Sequence, residues 1–168
     1  MAITLHPERA DDVDAIFALT AAAFQTVPYA SGTEPLIVNA LRARGQLTVS
    51  LVARDGDTVV GHLAVSPVTI SSGAAAWFGL GPLSVAPAYQ RRGIGSLLMR
   101  EGLAQLARIG AQGCVLLGDP AYYGRFGFRA GSGLTLPGVP AEYFQALSLG
   151  GPVPCGVVCF DPAFDVQA

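Results

Sequence analysis

The sequence predicts an α/β (α+β) fold, with a mixed, mostly antiparallel sheet flanked by helices. Hydrophobic periodicity gives the element order β-α-α-β-β-β-α-β-α-β along the 168 residues. Three consecutive strands near the middle are joined by short turns, which predicts an antiparallel meander. A later strand is almost wholly apolar, as is typical of strands that are covered on both faces.

The composition favours one compact domain, residues 1–168. Hydrophobic residues make up 51% of the chain and charged residues 13%, which is about half the usual charged share. Such a chain can bury a sizeable core and is not expected to be disordered. The net charge is −2, all ten basic residues are arginine, and Arg91-Arg92 is the one basic cluster. We therefore expect no nucleic-acid partner.

The cysteines and histidines predict neither a metal site nor an oxidising compartment. Cys114, Cys155 and Cys159 contain no CxxC pair. Together with His6 and His62 they offer no zinc-binding spacing, so no metal is expected. Scattered thiols in odd number favour a reducing compartment, and the charged N-terminus does not look like a signal peptide. These features predict a cytoplasmic protein.

One long stretch, residues 58–90, contains no Asp, Glu, Lys or Arg. Prolines interrupt it at Pro67, Pro82 and Pro87, and glycines interrupt it as well. Such breaks are incompatible with a membrane-spanning helix. Consecutive buried strands explain the stretch better, and we expect no membrane partner.

The N-terminal part of the chain is predicted to form one short strand and two helices. Ile3 to Leu5 can form the strand, and Asp11 is expected to be the N-cap of the first helix. A loop rich in turn-forming residues leads to the second helix. This helix begins near Thr33-Glu34-Pro35 and ends at Gly45.

The meander occupies the middle of the chain. Its predicted strands run from Leu47 to Arg54, from Thr58 to Ile70 and from Ala75 to Val85. The connections, Asp55-Gly56-Asp57 and Ser71-Ser72-Gly73, contain residues that tight turns favour. The three strands should therefore pair in sequence order.

The second half of the chain begins with a long helix, predicted from about Gly93 to Ile109. The apolar strand Gly113 to Leu117 follows. Asp119-Pro120 then reads as the N-cap and the first-turn proline of a short helix. Beyond it the chain is rich in Gly and Pro. The segment Gly131 to Pro154 is the least regular part, and one further strand is predicted at Gly156 to Phe160.

The loop before the long helix has the features of an anion site. Gly93 and Gly95 allow backbone N–H groups to approach an anion closely. The helix N-terminus adds unpaired N–H donors and a partial positive charge. Arg91 and Arg92 can donate charge-assisted hydrogen bonds. The loop can therefore bind a pyrophosphate, although a glycine turn that serves only packing is a second interpretation.

Two longer segments resemble the GNAT superfamily of N-acetyltransferases. Residues 83–98, LSVAPAYQRRGIGSLL, resemble its coenzyme-A-binding motif, a strand followed by x-Pro-x-x-Gln/Arg-x-x-Gly-x-Gly/Ala and a helix. Residues 116–128, LLGDPAYYGRFGF, resemble the later signature that ends in Tyr-x-x-x-Gly-Phe. The Gly-Asp-Pro-x-Tyr-Tyr version is similar to a bacterial subgroup of N-acetyltransferases. The resemblance covers about residues 3–130.

The resemblance implies a GNAT fold in which strands four and five splay apart and acetyl-CoA, as cosubstrate, fills the gap. A backbone N–H of the fourth strand would then face the thioester carbonyl and stabilise the tetrahedral oxyanion of acetyl transfer. The residues implied in binding the coenzyme are Leu83, Ser84, Val85, Gln90, Arg91, Arg92, Gly93, Ile94, Gly95 and Ser96.

The same resemblance implies a tyrosine as the acid that protonates the leaving thiolate. Tyr123 lies four residues before Gly127, at the position of the family's acid tyrosine. A phenol can serve because it keeps its proton near neutral pH. Ordinary core packing is the second interpretation for Tyr123. Tyr122 is expected to pack or to line the substrate site.

The base that accepts the amine proton is less well defined by the sequence. Many family members have a glutamate on the fourth strand, but residues 77–82 read WFGLGP. The candidates are Glu34, His62, Asp119 and a water held by backbone carbonyls. A structural role explains each side chain better: the helix dipole for Glu34, core packing for His62 and N-capping for Asp119. Water is therefore the favoured base.

The predicted function is transfer of acetyl from acetyl-CoA to the primary amine of a small molecule or peptide, by direct attack through a tetrahedral intermediate. The alternative is a coenzyme-A-binding sensor or partner module without efficient catalysis. A dinucleotide-dependent oxidoreductase is disfavoured because Leu98 replaces the third glycine of GxGxxG. Without a lysine, a Walker-type ATPase is excluded. Family members often form a homodimer, and the low charge permits one here.

Overall fold

The computed structural model describes residues 1–167. Four helices are present: α1 (Val13–Phe24), α2 (Glu34–Ala43), α3 (Ile94–Arg108) and α4 (Pro120–Tyr123). The strands are β1 (Ile3–Pro7), β2 (Val49–Asp55), β3 (Thr58–Ile70), β4 (Trp77–Val85), β5 (Gly113–Leu117), β6 (Leu134–Thr135), β7 (Phe144–Ser148) and β8 (Gly156–Phe160). In residues 1–167, each helix is too short or too polar to cross a bilayer.

The main sheet is mixed, as predicted. Its strand order is β1-β2-β3-β4-β5-β7. The β4–β5 pair is parallel, and every other neighbouring pair in this order is antiparallel. The meander is confirmed as β2, β3 and β4, and the bounds predicted for β3 are the observed ones.

The long strand β3 takes part in two pairings. Its first part pairs with β2 and β4, whereas its last residues, Val68–Ile70, pair with β8. The predicted strand Gly156 to Phe160 is thus confirmed, and β6 adds a short parallel pairing to it. The C-terminal segment is therefore held against the far end of β3.

The strand β7 lies in the segment Gly131 to Pro154, which was predicted to be the least regular part of the chain; the predicted element order lacks this strand and was wrong there. All five residues of β7 pair antiparallel with β5. The sequence FQALS lacks an apolar alternation, and a buried polar residue, Gln145, stands near its start. The strand forms because β5 offers a free edge, a long-range cause that a local pattern does not reveal.

The start of α1 also differs from the prediction that Asp11 caps it. A turn of 3₁₀ helix, Ala10–Asp12, precedes the α-helix, so the α-helix begins at Val13, one residue later than an N-cap at Asp11 implies. Asp12 is buried; its carboxylate accepts a hydrogen bond from the Arg9 N–H at 2.8 Å and pairs with Arg54. Asp12, and not the exposed Asp11, therefore fixes the N-terminal end of α1.

Helices cover both faces of the sheet. The helix α3 packs on one face through Ile94 and Leu98, which belong to the same core cluster as Leu63 of β3. On the other face, α1 and α2 pack against β2 and β3. Close packing of α3 requires Gly102, because a Cβ at this position would lie 2.6 Å from the Leu63 side chain. The sheet is thus enclosed around its central strands.

The strands β4 and β5 separate after a short parallel contact. Only Trp77–Gly79 of β4 pairs with β5. Beyond it, β4 bulges against β3, because Leu63 lies opposite Leu83 whereas Val65 lies opposite Leu80. One extra residue of β4 is accommodated there, which bends the strand. The result is an open gap between the C-terminal parts of β4 and β5.

Candidate functional site

The gap exposes the backbone of two β4 residues, Leu83 and Val85. The Ala86 N–H donates to the Val60 carbonyl of β3 at 2.9 Å. In an antiparallel ladder, hydrogen-bonded residues alternate with residues whose backbone groups face the other side. Leu83 and Val85 therefore direct their backbone groups away from β3, into the gap. Part of this edge is already in use, since the Gln90 Nε2 donates to the Val85 carbonyl at 3.1 Å.

The loop after β4 adopts the backbone geometry of an anion cradle. Arg91 has a φ of 63° and Gly93 a φ of 83°, and α3 begins at the next residue. The N–H groups of the first helical turn have no partner within a helix and point out of its end. A Cβ at Gly95 would lie 3.1 Å from the Tyr122 hydroxyl. Glycine thus keeps this end of the helix open.

A cavity of about 410 Å³, here called the β4–α3 cavity, joins the exposed strand edge to the loop. It contains eight of the ten residues predicted to bind the coenzyme: Leu83, Val85, Gln90, Arg91, Gly93, Ile94, Gly95 and Ser96. Ser84 and Arg92 are not in its lining. The sequence motif and the cavity therefore coincide for the most part.

The two predicted residues outside this lining have other surroundings. Ser84 is buried opposite His62 in the β3–β4 ladder, and its Oγ has no hydrogen-bond partner in residues 1–167. Arg92 lies on the surface with its guanidinium 5.4 Å from the centre of the Tyr89 ring. In place of Arg92, Arg125 lines the cavity and stacks on Tyr122 at 4.7 Å. The sequence did not predict Arg125 as a binding residue, although it lies within residues 116–128, the second segment that resembles the family.

A second cavity of about 470 Å³, the β4–β5 cavity, continues from the first. The two share four lining residues, Phe24, Val27, Leu83 and Tyr122. The second is lined mainly by apolar residues, together with Glu34, Asp119 and Tyr123. A molecule in the β4–α3 cavity would thus face the mainly apolar β4–β5 cavity across Leu83 and Tyr122.

The two adjacent tyrosines occupy different places. The Tyr122 hydroxyl lies 3.1 Å from the Ser96 Oγ, and its side chain lines both cavities. Tyr123 lines only the β4–β5 cavity, and its ring packs edge-on against Phe128. Burial raises the pKa of Tyr123 above its usual range. Its hydroxyl therefore keeps its proton at any ordinary working pH.

Of the three side chains considered as a base, His62 lines neither cavity. It is buried in β3, with its Nε2 2.8 Å from the Ser50 Oγ. The Ser50 hydroxyl donates to Glu8 at 2.7 Å, so His62 donates from Nε2. Its Nδ1 has no partner in residues 1–167. Burial lowers the pKa of His62 to about 4, which leaves it neutral and weakly basic.

The other two candidates, Glu34 and Asp119, line the β4–β5 cavity but have structural partners. The Glu34 carboxylate accepts hydrogen bonds from the backbone N–H groups of Ser31 at 3.0 Å and Gly32 at 3.1 Å. Asp119 accepts from the Ala121 N–H at 2.9 Å, which confirms it as the N-cap of α4. Each carboxylate thus orders the backbone of its own loop and also contributes negative charge to the cavity.

The buried His62 makes stability depend on pH. Its pKa is about 4 in the folded protein and about 6.5 in an unfolded chain. Between these two pKa values the unfolded chain binds a proton that the folded protein does not. The free energy of unfolding therefore falls as the pH falls through this range. Between pH 7 and pH 5 we expect a loss of about 2 kcal/mol, which His62→Gln should remove. Urea unfolding at both pH values measures this.

The other histidine provides the control. His6 of β1 is partly exposed, and its Nε2 accepts a hydrogen bond from the Arg54 Nε at 2.9 Å. His6→Gln should therefore retain the loss of stability between pH 7 and pH 5. If the pH dependence of unfolding is the same in wild type and His62→Gln, the assignment to buried His62 is wrong.

Comparison with known proteins identifies the family. A family model described as "Acetyltransferase (GNAT) domain" matches residues 4–131. The chain belongs to the GNAT acetyltransferase family. Its strand order, its parallel β4–β5 pair and the splay beyond that pair are thus those of a GNAT fold. Within residues 1–167, no three His, Cys, Asp or Glu side chains are grouped as a metal site would require.

Two similar crystal structures contain a coenzyme. A GNAT acetyltransferase of Brucella melitensis in complex with acetyl-CoA is 48% identical, covers 98% of this chain and 99% of its own, and has a TM-score of 0.88. YhbS of Escherichia coli in complex with CoA is 33% identical over 99% of this chain and 93% of its own, with a TM-score of 0.87.

The sequence match to a curated relative is shorter. "Uncharacterized N-acetyltransferase YhbS" of Escherichia coli (strain K12) is 41% identical over 102 residues, which are 60% of this chain and 61% of that protein. A second relative from the same strain, "Uncharacterized N-acetyltransferase YjhQ", is 36% identical over 97 residues, which are 56% of this chain and 52% of that protein. The chain thus matches less than two thirds of the length of either relative.

Proposed function

We propose that residues 1–168 form one acetyltransferase domain that transfers acetyl from acetyl-CoA to a primary amine. The observation that carries this proposal is the junction of the two cavities at Leu83 and Tyr122. A donor in the first cavity and an amine in the second can meet there. The motif at residues 118–123, GDPAYY, supports membership of the bacterial subgroup whose proteins carry the Gly-Asp-Pro-x-Tyr-Tyr sequence.

The donor is held largely by backbone groups. The N–H groups at Gly93 to Ser96 bind the pyrophosphate, and Arg91 and Arg125 add positive charge beside it. The pantetheine arm lies along the exposed edge of β4 at Leu83 and Val85. The coenzymes in the Brucella and Escherichia coli structures support this assignment, because both proteins share the fold over nearly the whole chain.

The reaction is direct attack of the neutral amine on the thioester carbonyl. A carbon–nitrogen bond forms, and the N–H of Leu83 or Val85 stabilises the resulting oxyanion. The carbon–sulfur bond then breaks, and Tyr123 gives its proton to the leaving thiolate. The proton of the attacking nitrogen passes to a water held at the backbone, and solvent restores the proton of the tyrosine. Water is favoured as the base because His62 lies outside both cavities and the two carboxylates cap loops.

An acetylation screen tests the proposal. Amino acids, peptide N-termini, amino sugars, aminoglycosides and simple alkyl and arylalkyl amines are offered with acetyl-CoA, and the released CoA thiol is measured. We expect amine-dependent thiol release with at least one class and a matching acetylated product by mass spectrometry. If acetyl-CoA binds but none of the amines is acetylated, the proposal fails in favour of a coenzyme-A-binding sensor.

A further inference from the structure

A third cavity, here called the tyrosine groove, extends the β4–β5 cavity outward. It has a volume of about 530 Å³, and its lining includes Tyr29, Leu117, Asp119, Val139, Pro140 and Tyr143. Tyr29, Leu117, Gly118 and Asp119 line both spaces, so the groove is continuous with the chamber beside Tyr123. None of the roles derived above uses Tyr143 or Val139.

The groove has the composition of a ligand surface. Tyr29 is 85% exposed, and Leu117 and Tyr143 are each 46% exposed. Clustered large apolar side chains that are left open to water are typical of binding sites. Tyrosines are well suited to this role, because each offers a wide apolar face and a polar tip.

Backbone hydrogen bonds fix the position of Tyr143 beside the candidate active site. Its N–H donates to the Pro140 carbonyl at 3.1 Å, closing the turn before β7. Its carbonyl accepts from the Gly118 N–H at 3.0 Å, directly before Asp119. The pairing of β7 with β5 therefore positions the ring of Tyr143, in the turn before β7, at the outer end of the β4–β5 cavity.

Charge separates the acceptor side from the donor side. Glu34 and Asp119 line the β4–β5 cavity, and Asp119 also lines the groove. In residues 1–167, no arginine or histidine lines either space, whereas Arg91 and Arg125 line the donor side. A cationic amine would be attracted to this side, and a carboxylate would find no positive partner.

We propose that the tyrosine groove binds the body of the acceptor, and that this acceptor is a small primary amine that carries an aromatic group and no carboxylate. The proposal rests on the proposed acetyltransferase function. The aromatic group packs against Tyr29 and Tyr143. The amine passes Asp119 into the β4–β5 cavity and gives its proton to solvent water before it attacks. A volume of several hundred Å³ is of the size that suits a small molecule.

Three matched amines test the substrate class. Phenethylamine has the aromatic group and the amine, phenylalanine adds a carboxylate, and propylamine lacks the ring. We expect kcat/KM for phenethylamine to exceed that for either other amine by about 10-fold or more. Equal or faster acetylation of phenylalanine or propylamine would overturn the inference while the acetyltransferase function stands. If none of the three amines and no amine of the broader panel is acetylated, both this inference and the proposed acetyltransferase function are overturned.

Substitutions at Tyr143 test the groove itself. Tyr143→Ala should raise KM for phenethylamine by about 10-fold and leave KM for acetyl-CoA unchanged, whereas Tyr143→Phe, which keeps the ring, should stay near wild type. Ile109→Ala, which removes an exposed apolar side chain after the end of α3, is the control and should change neither constant. An unchanged KM for phenethylamine in Tyr143→Ala would contradict the assignment.

A binding measurement separates the groove from the chemistry. Calorimetric titration of phenethylamine into the protein with CoA bound should show binding that Tyr143→Ala weakens and Ile109→Ala does not. This result would identify Tyr143 as a contact of the bound amine, independently of the acetylation rates. Equal affinity in wild type and Tyr143→Ala would exclude Tyr143 as a contact.

Discussion

Replacing Gly95 with valine should weaken acetyl-CoA binding by about 100-fold or more, equivalent to about 3 kcal/mol. The added Cβ would lie 3.1 Å from the Tyr122 hydroxyl, at the end of α3 that faces the β4–α3 cavity. The two methyl groups would project further into the space that the pyrophosphate needs. Several charge-assisted hydrogen bonds would then be lost together. Calorimetric titration with acetyl-CoA measures the effect.

A valine elsewhere on the same helix is the control for this substitution. Ala107 is exposed near the C-terminal end of α3, so Ala107→Val introduces the same side chain far from the loop. It should bind acetyl-CoA as the wild type does. Circular dichroism of both variants checks that the helix is intact. Unchanged affinity in a folded Gly95→Val protein would refute the cradle assignment.

Replacing Tyr123 with phenylalanine should lower kcat by about 100-fold, the lower end of the usual contribution of a general acid. The hydroxyl is the group that would protonate the thiolate, and burial raises the pKa of Tyr123, so the proton is present across the working pH range. The ring keeps its contact with Phe128. The KM for acetyl-CoA should therefore change little. Steady-state rates with a saturating amine measure the effect.

The adjacent tyrosine is a matched comparison. The Tyr122 hydroxyl lies 3.1 Å from the Ser96 Oγ, and Tyr122 lines both cavities. Tyr122→Phe should therefore weaken acetyl-CoA binding by a few-fold, the effect of losing one hydrogen bond, and change kcat much less than Tyr123→Phe does. The opposite pattern, with the large loss of kcat in Tyr122→Phe, would assign the acid to Tyr122.

The lining of the β4–α3 cavity could be predicted because its determinants are local in sequence. The strand edge, the glycine loop and the helix start all lie within residues 83–96, and eight of the ten predicted residues line one cavity. The prediction for Asp119 had the same basis, since an N-cap needs only the residues that follow it. Ser84 and Arg92 differ because the motif does not specify where each side chain points.

The tyrosine groove could not be predicted because distant segments build it. Tyr29 comes from the loop between α1 and α2, Asp119 from the end of β5, and Tyr143 from the turn before β7. The sequence did not predict β7, whose pairing with β5 brings Tyr143 to the groove. The low pKa of His62 could not be predicted either, because it depends on burial by packing between the sheet and the helices.

The position of the donor is tested most directly by a crystal structure of this protein with acetyl-CoA. The pyrophosphate oxygens should lie within hydrogen-bonding distance of the N–H groups at Gly93 to Ser96. The thioester carbonyl should face the N–H of Leu83 or Val85, at the junction with the β4–β5 cavity. A complex in which acetyl-CoA lies elsewhere, or in which its pyrophosphate does not contact this loop, would contradict the proposed site.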